Sequence, residues 1–325
     1  MKKFVAMILA LVMALSLVAC GGGSDNVKMR FVTGGSSGTY YAFGGVLAQH
    51  ATNNAAGIEV LGVEGNGSQG NVESLQDGKA ELGFCQSDVM AYAYDGTRIF
   101  EETGKVDNFS TVAALYQEQV QIITCDPDIK SVADLKGKSV SVGAAGSGVY
   151  FNAVDVLNAY GLDVEKDIKA TYQSFGDTAN DIKDGKIDAG FIVAGAPTNA
   201  ITELFTTKST YLIGIDEEHV DALVKASPYY SKVVIPAETY GKGQPEDVTT
   251  VAVGAVILAR NDVPAEAIYA FTADIFDNYQ DLGDAHAKYK ELSMDFATSI
   301  TSVPYHPGAA KYFSEKGFDV PALAE

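Results

Sequence analysis

Two stretches of this chain return later in the same order and at nearly the same separation. Phe31-Val32-Thr33-Gly34-Gly35-Ser36-Ser37-Gly38-Thr39-Tyr40-Tyr41 is echoed by Ser141-Val142-Gly143-Ala144-Ala145-Gly146-Ser147-Gly148-Val149-Tyr150-Phe151. Asp77-Gly78-Lys79-Ala80-Glu81-Leu82-Gly83-Phe84 is echoed by Asp184-Gly185-Lys186-Ile187-Asp188-Ala189-Gly190-Phe191. A chain that repeats both patterns in register reads as two units on one plan. Around them, short apolar runs alternate with helix-period segments, the pattern of an α/β protein. Each unit predicts a strand, a Gly/Ser loop and a helix, then a second strand (Glu59 to Val63; Ala170 to Phe175) and a further helix. The Asp-Gly-Lys turn then leads into a third strand. Glycine after the aspartate suits a helix end that closes in the left-handed region.

The intervening segments predict how the units join. Val120 to Thr124 and Val251 to Ala259 are apolar runs, expected to be paired crossover strands. The first lobe is then discontinuous, residues 28–119 and 254–325, with residues 120–253 forming the second. This is a two-lobed α/β fold with a cleft between the lobes and a two-strand hinge. The alternative is a single large sheet with an accidental echo.

The N-terminus reads as an address. Lys2 and Lys3 precede an apolar run too short for a comfortable bilayer span, and the run ends in Leu17-Val18-Ala19-Cys20. That ending resembles a bacterial lipobox. It implies a signal peptide over residues 1–19, a lipid on Cys20, and a mature protein outside the cytoplasmic membrane on a flexible tether, residues 20–27. The alternative is an ordinary signal peptide with an incidental cysteine. Elsewhere every long apolar stretch is broken by charge, Gly or Pro, so no membrane span is expected.

A net charge of −19 argues against nucleic acid, because phosphate binding needs a basic surface. Arg30, Arg98 and Arg260 are the only arginines, so an acidic ligand must be held largely by other donors. Cys85 and Cys125 are able to form one disulfide in an oxidising compartment. Both follow strand-like residues, however, and two buried free thiols are expected. The four histidines lack zinc spacing, and no metal or cofactor is expected.

In open α/β sheets, ligands bind beyond the carboxyl ends of strands, where loops run into helix N-termini. Both Gly/Ser loops sit there. Their glycines allow close approach, their amides favour an anion, and Ser36, Ser37, Thr39 and Ser147 add hydroxyls. The bland reading is N-caps and tight turns. Gly65 to Asn71 precedes a helix, which Ser68 is expected to cap while Asn71 points toward the cleft. Asp88 is expected to accept from an ammonium or to cap the next helix. Two enzymatic readings compete with binding. Gly34-Gly35-Ser36-Ser37-Gly38 matches a nucleophile elbow, but its echo lacks the motif, and His286 or His306 would have to act as base. Gly143 to Gly148 lacks the ending of a P-loop.

Several segments together resemble the TAXI family of solute receptors. They are Thr33 to Tyr41, Phe84-Cys85-Gln86-Ser87-Asp88, Ala113 to Tyr116, Ser131 to Gly148, Ala194-Gly195-Ala196-Pro197, Val234 to Tyr240 and His306 to Tyr312. The likeness runs in order over residues 28–318. TAXI receptors are the extracytoplasmic components of one class of TRAP transporters, which are secondary systems. The resemblance implies a type II periplasmic-binding-protein fold, no catalytic activity, a monomer, and a membrane permease as partner. It implies a glutamate, glutamine or related dicarboxylate ligand. Carried over by position, the ligand would be surrounded by Ser36, Gly38, Thr39, Tyr40, Ser68, Asn71, Gln86, Asp88, Tyr116, Ser147, Phe175 and Gly195. The arginine that related DctP-type receptors use for a carboxylate has no equivalent here. Cys85 and Cys125 depart from the residues common in the family. A serine hydrolase using Ser36, or a surface lipoprotein without a transport role, are the competing functions.

Overall fold

The computed structural model of the protein describes residues 26–280 and 282–324. The expected signal peptide, Cys20 and most of the tether lie outside the described residues. The first half runs β1 (Val27–Val32), α1 (Thr39–Asn54), β2 (Ile58–Val63), α2 (Ser68–Gln76), β3 (Leu82–Gln86), α3 (Ser87–Asp95) and α4 (Phe100–Thr103). A long strand, β4 (Phe109–Thr124), then leads into β5 (Ser139–Ser141), α5 (Val149–Ala159), β6 (Lys169–Thr171), α6 (Phe175–Lys183) and β7 (Ala189–Ala194). α7 (Asn199–Thr207), β8 (Tyr211–Ile213), α8 (Glu217–Ala226) and β9 (Ser231–Ile235) follow. A second long strand, β10 (Val248–Arg260), returns to α9 (Ala265–Asp277), α10 (Met294–Ala297) and α11 (Pro307–Glu315).

Among the described residues all ten strands join one sheet, ordered β2-β1-β3-β10-β4-β7-β5-β6, with β8 on β4 and β9 on β10. The halves mirror each other. β1 is parallel to β2 and β3, and β5 is parallel to β6 and β7. Between them only β4 and β10 are continuous. β10 pairs antiparallel with β3 on one side and with residues 109–119 of β4 on the other, while residues 119–124 of β4 pair with β7. The pairing expected for the crossover strands is therefore displaced. Val120 to Thr124 lie against β7 and β8, and the preceding residues of the same strand meet β10. Two register shifts, at Ala255/Val256 and Ile257/Leu258, bend the pair where it passes between halves.

Adjacent residues of one strand enter different cores, as the period of two requires. Phe31 and Phe84 pack with Phe43, Phe271 and Phe313 on one face of the first half, while Val32 and Cys85 pack with Val72, Met90 and Phe109 on the other. In the second half Ile122 and Phe191 join Val140 and Val156, whereas Ile123 and Ile192 join Ile201 and Leu204. Four apolar clusters thus cover both faces of both halves, which is the burial a parallel sheet demands.

The Asp-Gly-Lys turns behave as their sequence predicts. Gly78 and Gly185 have φ of 68° and 71°, and Lys79 N–H and Lys186 N–H reach back to the carbonyls of Ser74 and Asp181. β6 ends at Thr171, short of the expected Phe175. Ser174 stops it, because its hydroxyl accepts from Asp177 N–H and starts α6 there. Both thiols are free, but Cys125 is only half-buried, contrary to expectation. No described helix is long and apolar enough to cross a membrane. No metal-binding cluster occurs among the described residues.

Candidate functional site

A cavity of about 470 Å³ lies between the halves, at the carboxyl ends of the parallel strands. The N-caps of five helices line it: Gly38 of α1, Gly67 of α2, Gln86 of α3, Gly148 of α5 and Ser174 of α6. Only Ser174 caps its own helix with a side chain; at the other four no side-chain cap is made. The first turns of α1, α2 and α5 carry no acidic residue. Three helix N-termini with neither a side-chain cap nor an acidic first turn, those of α1, α2 and α5, each a partial positive charge, therefore converge on one space, beside the α3 N-terminus, whose first turn carries Asp88.

The charged side chains that line it have the opposite sign. Glu64 and Glu118 face the cavity and no lysine or arginine does. Arg98 is paired with Asp155, Arg260 with Glu81 and Asp262, and Arg30 donates to the Lys79 carbonyl. Glu64 accepts from Ser36 N–H at 3.0 Å, which holds the first Gly/Ser loop. Glu118 sits in the middle of β4 and is 2% exposed. Tyr40, stacked on Phe84, donates its hydroxyl to Glu118 at 2.5 Å. Burial pushes the Glu118 carboxyl up to about 8, against the pull of that hydrogen bond, which favours its protonated form. The same burial drives the Tyr40 phenol well above its ordinary value.

Of the residues carried over by position, Ser36, Gly38, Thr39, Tyr40, Ser68, Gln86, Ser147 and Phe175 line the cavity. Asn71, Asp88, Tyr116 and Gly195 are not among the lining residues. Asn71 ties strand ends together, its amide donating to the carbonyls of Thr33 and Phe84, so it does not point into the cleft. Asp88 is fully buried against Asn152, which donates to it at 2.9 Å, and burial pushes its carboxyl up to about 6. Tyr116 packs under Lys288, whose ammonium lies 5.2 Å from the ring and donates to the Ala196 carbonyl. Gly195 offers its carbonyl to the Thr39 hydroxyl at 3.0 Å. Ser68 caps nothing. Gly67 is the N-cap of α2, and the Ser68 hydroxyl accepts from Gln86 N–H.

Sequence reasoning missed Glu118, Glu64, Asn66 and Ser174. For Glu118 a signal existed, since it interrupts an apolar strand flanked by Gln117, Gln119 and Gln121. No histidine lines the cavity, so Ser36 has no base there. His286 stacks on Phe43, and the His306 imidazole accepts from Gly308 N–H as the cap of α11.

Fold and site together define a solute-binding protein of the periplasmic-binding-protein class. Residues 31–317 match the NMT1-like family, and the chain belongs to it. The probable amino-acid-binding protein YxeM of Bacillus subtilis (strain 168) is 27% identical over 194 residues, covering 58% of this chain and 69% of that one. Among solved structures, a Bordetella bronchiseptica RB50 protein superposes with a TM-score of 0.54 at 16% identity, covering 92% of each chain. PhnD1 of Prochlorococcus marinus (MIT 9301), in complex with methylphosphonate, gives 0.51 at 12% identity over 85% of this chain and 90% of that one.

Proposed function

We propose that this protein is the extracytoplasmic receptor of a TRAP-type secondary transporter and that its ligand is a zwitterionic amino acid, with glutamine favoured over dicarboxylates. One observation carries the ligand class: three helix N-termini with neither a side-chain cap nor an acidic first turn face two acidic side chains, Glu64 and Glu118, in a cavity lined by no cation. The helix ends suit the ligand carboxylate, with the Ser147 and Thr39 hydroxyls beside them. Glu118 suits the ammonium. A dianion would have to be desolvated beside the Glu64 carboxylate with only partial charges to offset it, and would leave Glu118 without the cation that ionises it. The transport role rests on the TAXI resemblance, and the location outside the membrane on the lipobox at Cys20. Lobe limits at 119/120 and 253/254 fit the way β4 and β10 divide their pairing between the halves.

The geometry supports a binding cycle. Contacts from both halves surround the cavity, so a ligand that touches both favours the closed form by its differential affinity. The closed receptor then docks on its permease. A thermal-shift series with L-glutamine, L-glutamate, 2-oxoglutarate, succinate and an alkanesulfonate tests the ligand class. At a hundred times the dissociation constant a ligand adds about 2.7 kcal/mol, which is several degrees. Glutamine is expected to raise the midpoint and succinate to leave it unchanged; the reverse would assign the site to dianions. For transport, uptake lost on deleting the gene should also be lost when an ionophore collapses the ion gradient, and should survive ATP depletion.

A further inference from the structure

Asn152 is the fourth residue of α5, and it is fully buried although it points out of its own half. Its side chain is fully engaged. The carbonyl accepts from Gln86 Nε2 at 3.0 Å, and the amide donates to Asp88 Oδ2 and to the Tyr230 hydroxyl, each at 2.9 Å. Tyr230 passes the chain on, donating to Asp155 Oδ2 at 3.0 Å, and Asp155 Oδ1 is paired with Arg98 at 2.5 Å. Gln86, Asp88 and Arg98 belong to the first half; Asn152, Asp155 and Tyr230 belong to the second. The chain crosses the gap three times, at Gln86–Asn152, Asn152–Asp88 and Arg98–Asp155, and each crossing exists only while the halves are together.

Its inner end is in the ligand cavity. Gln86 and Ser147 line that cavity, and Gln86 Oε1 and Ser147 Oγ are both buried without a partner. A ligand N–H on Gln86 Oε1 would fix the amide in the sense that aims Nε2 at Asn152. Backbone packing makes the same corner tight, since a β-carbon on Gly148 would lie 1.5 Å from Gln86 Oε1. Asn152 itself is not a lining residue, so its contribution is to closure and not to ligand contact.

We propose that Gln86 and Asn152 are positioning residues of a latch between the halves, which populates the closed form without ligand and is completed when a ligand orients the Gln86 amide. This deepens the receptor reading and rests on it only in requiring that the halves separate. Its test uses no ligand, so the two fail separately.

Lys105 and Lys225, both exposed and one on each half, are replaced in the full chain by azide-bearing residues carrying a fluorophore pair. Single-molecule energy transfer is then read on protein refolded free of ligand. The wild type is expected to show a closed population beside the open one. Asn152→Leu and Gln86→Met should each reduce the closed-to-open ratio at least fivefold, and Arg98→Gln, at the exposed end, about twofold. Exchanging donor and acceptor with Asp88→Asn plus Asn152→Asp should restore much of the closed population, which a purely structural role would not. Arg98→Gln leaves both cores intact and keeps the test open if Asn152→Leu misfolds. A wild type that is only open, or closed fractions equal in all the variants, would overturn the latch.

Discussion

The two Gly/Ser loops carry nearly the same sequence and reach the same place by different backbones. In the first, Gly34, Gly35 and Gly38 all keep ordinary φ, and Ser36 is exposed with its amide on Glu64. In the second, Gly143 and Gly146 turn through φ of 92° and 81°, which swings Ser147 inward to 9% exposure with an unpartnered hydroxyl. Only glycine takes those two angles without strain. The first loop is therefore a rim held by a carboxylate. The second is a wall that brings a hydroxyl and a bare helix end to the ligand. A repeated pattern locates both loops, while the dihedrals decide which hydroxyl faces the ligand.

The sharpest way to break this contrast is at the glycines before the two helices. Gly148→Ala should lower affinity for the best ligand of the thermal-shift series more than a hundredfold by calorimetry, because the new methyl occupies the Gln86 amide. Gly38→Ala should cost less than tenfold, since its β-carbon meets the Phe175 ring at 3.4 Å and the Gly35 carbonyl at 3.3 Å. Equal losses would mean that the loops are interchangeable.

Glu118, between the loops, gives the next largest effect. Its folded value of about 8 and that of Asp88, about 6, both stand above the ordinary 4.5 and 3.8. Groups raised in this way contribute fully below their unfolded values, and that contribution is lost as pH rises through the folded ones. The ligand-free protein should thus melt progressively lower from pH 5 to pH 9. Glu118→Gln should flatten the upper part of that decline and melt several degrees above wild type at pH 9, while binding amino acids at least tenfold more weakly. In the wild type an arriving ammonium ionises Glu118, so binding at pH 7 should release a proton, seen as a buffer-dependent heat. Proton uptake would point to an anionic ligand instead.

Smaller effects separate the two hydroxyls. Ser147→Ala should weaken binding about tenfold, the loss of one charge-assisted hydrogen bond, and Ser147→Leu should abolish it. Ser36→Ala should change affinity less than threefold and leave no esterase activity to lose. Thr39→Val, which removes the bond to the Gly195 carbonyl between the halves, should fall between the two serine-to-alanine changes.

Much of this was legible in the residues. The repeat determines two α/β halves, because Phe31-Val32 and its partners alternate into two cores whatever the surroundings. Asp77-Gly78 and Asp184-Gly185 determine where two helices stop, a local matter of φ. The Gly/Ser loops mark helix starts at strand ends, and a ligand site follows from that topology. What the sequence could not decide is which polar side chains reach the cavity, since that depends on contacts between residues far apart in the chain. Asn71 and Asp88 read as cleft residues, yet tertiary packing turned one onto strand-end carbonyls and the other onto Asn152, 64 positions away. Glu118 became the buried acid of the site only because β10 pairs beside it and Tyr40 closes on its carboxyl. Dihedral preference and hydrophobic period act over a few neighbours and can be read along the chain. Desolvation and hydrogen bonding between the halves arise only when the whole sheet has closed around them.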